Sequence, residues 1–221
     1  MTDVPFFDPW PDPEEDDAAP DPDVDLPWLP PTHVLGVVVP LDAAAFDSAD
    51  VVVRVVRAVA YRRGVELTVD VRRRPGSRPP ASGPEDWRGL EPRVGVRLAD
   101  GTRVGHRPEG VPPPPGEDGD GPSLTRTGTE GSGLRHSTSW WLTPFPAGAS
   151  LEVVVQWTTH GVPESAATLD LAALRRAAED ERELWPPAPR PAGSGAGWFA
   201  YAPVSHAVLG PAGDAGPEVE D

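Results

Sequence analysis

From Val65 to Arg72 the chain reads Val65-Glu66-Leu67-Thr68-Val69-Asp70-Val71-Arg72, with apolar and polar side chains alternating without a lapse. A repeat of two puts every second side chain on the same face, so this segment predicts a strand with one buried side. Arg93 to Leu98 alternates too, with Val94, Val96 and Leu98 together, and Thr102 to His106 predicts the return strand. Between them lies Asp100-Gly101, a pair that the two-residue type I′ hairpin favours because both central positions take positive φ. Val34 to Leu41 predicts a strand ending at Pro40. In Val51 to Tyr61 the positions Val52, Val55, Val56 and Val59 also fit a helical face, but the density of β-branched residues favours strand. Arg62-Arg63-Gly64 then supplies a turn. Strand pattern resumes at Arg135 to Thr143, breaks at Pro144-Phe145-Pro146, and returns at Leu151 to Trp157, where Leu151, Val153, Val155 and Trp157 share a face.

One segment has helical spacing. Leu171, Leu174, Ala178 and Trp185 form a stripe opposite Arg175, Arg176, Glu179 and Glu183. Asp170 suits the N-cap, Leu169 can staple against Leu174, and Pro186-Pro187 ends the helix. The pattern predicts a helix over about residues 170–185, with Trp185 as its anchor. About seven short strands and a single helix predict an all-β fold: a β-sandwich, immunoglobulin-like or jelly-roll, with one C-terminal α-helix.

Composition separates this domain, residues 33–186, from its flanks. Residues 1–32 are rich in Pro and carry Asp3, Asp8, Asp12, Glu14 to Asp17, Asp21, Asp23 and Asp25 with no basic residue. Such a segment predicts a disordered acidic leader, and residues 187–221 a disordered Pro/Gly-rich acidic tail. The Gly/Pro stretch 107–133 reads as a flexible loop. Most of the net charge of −16 falls in the arms. That balance disfavours nucleic acid, whose affinity comes mainly from cations neutralising phosphates.

The chain has no Cys, and all 19 basic residues are Arg. Thiolate zinc sites, thiol nucleophiles, phosphate-loop lysines and Schiff-base chemistry are therefore excluded. The acidic N-terminus does not resemble a signal peptide, and the apolar run Val34 to Leu41 is far shorter than the roughly 20 residues of a membrane span. No membrane association and a cytoplasmic location are the expectation.

The runs Gly95-Val96-Arg97-Leu98-Ala99-Asp100-Gly101 and Trp141-Leu142-Thr143-Pro144-Phe145-Pro146 occur in order. They are followed by Val153 through Gln156-Trp157 to Gly161-Val162-Pro163-Glu164-Ser165, and then by Leu169-Asp170 and Leu184-Trp185-Pro186. Together these runs resemble a family of actinobacterial proteins with no assigned activity, over about residues 61–186. The family's glycine-rich run before the tryptophans is weaker here, at Gly128 to Gly133. The resemblance implies a bacterial cytoplasmic setting and supplies no site residues.

Three groups of residues are candidates for function. The first pairs the leader aromatics Phe6, Phe7 and Trp10 with the basic run Arg72, Arg73 and Arg74, where guanidinium groups can hold carboxylates in bidentate fashion. The acidic leader could itself fold onto that run. The second is Trp140, Trp141 and Trp157, an aromatic platform for a sugar or small molecule, or simply core packing. The third is His160, Glu164 and Ser165, a hydrolase set only if the three converge, and one without a Gly-x-Ser-x-Gly elbow.

No metal spacing accompanies the scattered histidines. Glu117-Asp118-Gly119-Asp120-Gly121 lacks the ligand set of a calcium loop. The leading expectation is a non-enzymatic interaction or assembly protein without cofactor, docking to a protein partner. Edge strands and the Val-rich segment at Val51 also admit a homo-oligomer. The alternatives are a carbohydrate or small-molecule binding module on the Trp-bearing face and, last, the hydrolase.

Overall fold

In the computed structural model of the chain, the residues described are 28–77, 91–107, 121–132 and 134–187. Phe6, Phe7, Trp10, nearly all of both arms and much of the 107–133 segment lie outside them. The strands are β1 (Val34–Leu35), β2 (Val37–Asp47), β3 (Val51–Ala60), β4 (Val65–Arg73), β5 (Arg93–Arg97) and β6 (Arg103–Arg107). They continue as β7 (Ser123–Ser132), β8 (Arg135–Thr143), β9 (Ser150–Trp157) and β10 (Val162–Asp170). Helix α1 (Leu171–Glu179) and strand β11 (Arg182–Glu183) complete the order.

The fold is an all-β sandwich with one helix. Nine strands run in the order β10-β9-β5-β6-β7-β8-β4-β3-β2, and this ribbon folds over into two layers. Every ladder in it is antiparallel except the short parallel pairing of β6 with β7. At the other side β10 lies beside β2 without joining it in a ladder. Val53, Val55, Leu67 and Val69 of one layer meet Val96, Leu151, Val153 and Val155 of the other in a single core. Each such side chain stabilises the fold by about 1.5–3 kcal/mol through burial.

Helix α1 packs on β2, β3 and β9 at one end of the sandwich. Asp170 caps it, its carboxylate accepting from the Ala172 backbone N–H at 2.8 Å. Leu171, Leu174 and Ala178 are its buried residues. Arg175 holds it in place by donating to the carbonyls of Pro146 and Gly148 at 3.2 and 3.0 Å.

Several boundaries differ from the sequence pattern. The helix stops at Glu179 because the chain then turns to pair β11 with β1, so Trp185 lies beyond it and is 52% exposed. It does not anchor the helix. β2 runs through Pro40 to Asp47, which an outer strand tolerates because the missing N–H need not face a partner. The β5–β6 loop has positive φ only at Gly101, not at Asp100. Gly101 N–H donates to Leu98 and Leu98 N–H to Thr102, each at 2.9 Å, which makes a three-residue loop ending in a glycine bulge rather than a type I′ turn. Strand β7 occupies residues expected in a loop, and β10 occupies a stretch to which the sequence pattern assigned no element.

The polar side of β4 is also more enclosed than alternation implies. Thr68 and Asp70 are buried, at 8% and 5% exposure. Farther along that outer face, Trp141 is fully buried against the edge of Tyr61, with ring centroids 5.3 Å apart at 85°. Gly64 makes this possible. A β-carbon there would stand 2.5 Å from the Leu142 carbonyl oxygen and 2.7 Å from the Trp141 ring. Tyr61 in turn rests on Gly36, between β1 and β2. Burial, then the carboxylates of Glu66 and Glu181, push the Tyr61 hydroxyl above its usual pKa.

Candidate functional site

The arginine run does not form one patch, because neighbours on a strand point to opposite faces. Arg72 lies on the outer face, 63% exposed, with its Nε 2.8 Å from Asp70 Oδ2. Arg135, directly opposite Arg72 on β8, places its Nε 3.3 Å from Asp70 Oδ1. The buried Asp70 carboxylate thus sits between two exposed guanidinium groups that leave most of their surface to solvent. Arg73 belongs to the inner side and turns into the end of the sandwich. Its guanidinium carbon stands 6.0 Å from the Trp157 ring centroid, and its Nη2 donates to the Ser77 carbonyl at 3.4 Å. Arg74 is exposed, its backbone N–H bonded to Asp50.

The three tryptophans do not make an open platform. Trp140 is 3% exposed, Trp141 fully buried and Trp157 5% exposed. Alternation sends Trp140 into the main core and Trp141 to the outer face, where Tyr61 covers it. The Trp140 indole N–H donates to the Thr138 hydroxyl at 2.8 Å. A sugar-stacking face built on Trp140 or Trp141 is therefore ruled out by their enclosure.

Nor does the His160 set converge. The imidazole stacks on Trp157 at 3.7 Å, with 29° between the planes, and its Nδ1 lies 3.1 Å from the Thr159 hydroxyl. Glu164 instead approaches Arg97 at 3.6 Å, and the Ser165 hydroxyl donates to the Pro163 carbonyl. With base, carboxylate and hydroxyl each directed elsewhere, the residues lack the relay a nucleophilic hydrolase requires. Burial first, and the nearby Arg73 charge second, hold the His160 pKa below its ordinary value. Its Nε2 is buried without a hydrogen-bond partner. Arg73, Trp157 and His160 thus form a compact stack at the end of the sandwich opposite α1.

A different surface stands out at the corner where the described chain begins and ends. β1 pairs with β11 as Val34 with Glu183 and Leu35 with Arg182, and Leu184 N–H donates to the His33 carbonyl at 2.8 Å. This two-strand clasp holds the start of the domain to its finish, so both arms attach at one corner. Large apolar side chains stay in solvent there: Leu35 at 52%, Leu184 at 39% and Trp185 at 52%. Val38, on β2 and paired with Val59, is 59% exposed. Arg62 ties the same corner to the helix, its backbone N–H donating to Glu181 Oε2 at 2.8 Å and its Nη2 to the Glu179 carbonyl.

Sequence reasoning passed over this surface because it assigned Trp185 to a buried helical stripe. A usable signal was Asp180, a weak helix former, followed by the charged run Glu181-Arg182-Glu183 before Leu184-Trp185, which leaves Trp185 a full seven residues from the last apolar position of the stripe, Ala178. Compared with known proteins, the chain matches no protein-family model, no curated protein and no solved structure.

Proposed function

We propose that this protein is a non-catalytic interaction module of the bacterial cytoplasm, related to the actinobacterial family it resembles, and that it docks a protein partner at the β1/β11 corner. The observation that carries the reading is the exposed group Leu35, Val38, Leu184 and Trp185 at the junction of both arms. Exposed apolar clusters mark interaction surfaces, and a half-exposed Trp is the side chain most often found as an interface anchor. The chain on either side of this corner is acidic in sequence, a charge that favours a basic partner.

The test compares the full chain with a Val38→Asp/Trp185→Ser double variant in co-purification from the native host. Both positions are exposed, so the variant keeps its fold, which far-UV circular dichroism verifies. The reading expects a partner retained by the parent and lost by the variant. Recovery of the same proteins by both refutes it. Sedimentation at rising protein concentration separates a foreign partner from a second copy of the chain.

A further inference from the structure

On the outer face of the β5–β6–β9 layer, Gly95 and Gly105 stand directly opposite each other and floor a shallow groove of about 290 Å³. We propose that this groove binds an extended, carboxylate-bearing peptide segment of a partner protein. The site is separate from the apolar corner and does not depend on it.

Glycine inside a strand often marks a place where another backbone approaches closely. Here a β-carbon on Gly105 would meet nothing within 4 Å, so the floor is open above the sheet. Arg93 lies on the same outer side of β5 as Gly95, one pleat away, and Arg97 lies one pleat beyond on the other side. Arg103 is directly opposite Arg97. The apolar surface between them comes from Val154, the cross-strand neighbour of Gly95, with Gln156 beside Arg93.

The charges in the groove are incompletely answered. Arg97 is matched by Glu152 at 2.5 Å and by Glu164 at 3.6 Å. Arg93 has a long contact, 3.4 Å, to the neutral Gln156 side chain. Arg103 is exposed and, among the described residues, makes no ion pair. Two like charges directly opposite on a sheet repel, and an incoming carboxylate between Arg97 and Arg103 relieves that repulsion.

Arg103 stands opposite Arg97, four residues along β5 from Arg93, which sets about 14 Å between the two incompletely matched cations of the groove. A small dicarboxylate does not span this distance. An extended peptide with acidic residues four positions apart does, and both of those side chains then point to the same face. Nucleic acid suits the groove poorly, since two incompletely matched cations are too few to neutralise a run of phosphates and the chain carries a net charge of −16.

The test uses fluorescence anisotropy with the full chain and a labelled Thr/Val-rich peptide carrying two glutamates four positions apart. Arg103→Ser removes the unpaired cation, and Gly105→Leu fills the floor at a position with space for a side chain. Arg103→Ser is expected to weaken binding by about tenfold, the loss typical of one charge-assisted contact, and Gly105→Leu to weaken it by occupying the floor. A peptide with its glutamates only two positions apart is expected to bind less tightly. Arg176→Ser, on the exposed face of α1, is expected to change nothing. The proposal is overturned if the parent protein does not bind the peptide, or if Arg176→Ser weakens binding as much as Arg103→Ser. Equal competition by a single-stranded oligonucleotide also overturns it.

Discussion

Replacing Trp141 and Trp185 separately by Ala tests which indole holds the domain together. Trp141 has no exposed surface, touches the Tyr61 ring edge-on and is overlaid by Gly64. A buried Trp side chain covers roughly 150–250 Å², which at about 25 cal/mol per Å² is worth some 4–6 kcal/mol. The extended-chain reference inflates that figure, and the Trp141 indole N–H is buried without a partner, so its removal recovers part of the loss. The expected destabilisation is about 3–5 kcal/mol for Trp141→Ala. Trp185 is 52% exposed, and its removal is expected to cost about 1 kcal/mol or less.

The assay is urea denaturation followed by far-UV circular dichroism, because indole fluorescence changes with the substitution itself. Midpoints are converted with a common slope once the slopes are shown to agree. A large loss for Trp185→Ala together with a small one for Trp141→Ala would refute this account of the packing. It would restore the arrangement that helical spacing predicts, with Trp185 as anchor.

Two further outcomes follow from the termini of the elements. Because burial and Arg73 lower the His160 pKa, the unfolded chain protonates first, near the ordinary value of about 6.5. The stability that the neutral imidazole contributes is complete above that pH and is lost as pH falls through the lower folded value. Thermal melts of His160→Gln between about pH 7 and pH 5 should therefore lose less Tm than the parent, and equal losses would show that His160 does not couple to folding. Asp170→Ala removes the cap of α1 and is expected to cost about 1 kcal/mol in urea midpoint, with Asp170→Asn close to the parent; equal stability of all three would remove the cap from the account.

Strands with one face in the core were legible as such. β4 and β9 carry runs of alternating side chains, and in β3 the density of Val outweighs an ambiguous helical spacing. Their identity depends on local steric preference and on the need to bury every second residue, both written in the chain. β7 was not legible. Among its residues only Leu124 is a large apolar side chain, and its remaining signal is the spacing of Thr125, Thr127 and Thr129. It exists because β8 offers a free ladder edge, which a one-dimensional pattern does not display. β10 was hidden for a similar reason: Val162 to Thr168 carries few large apolar residues, yet β9 pairs with it at Val162 and from Ser165 onward, with Pro163 and Glu164 in a bulge.

The candidate sites divide along the same line. That Arg72 and Arg73 face opposite ways, and that Trp140 and Trp141 cannot share a surface, follows from the two-residue period alone. Which of those faces is covered does not follow from it. Tyr61 over Trp141, the Trp157–His160 stack and the opposed Gly95 and Gly105 all join residues distant in sequence or set by strand register. Local preference and alternation therefore determined that this chain forms strands, a capped helix and one all-β layer fold. Only the tertiary structure decided which end the helix covers, where β11 returns to β1, and which arginines and indoles meet solvent. Those outcomes depend on contacts between distant segments, whose free energy no local stretch of sequence contains.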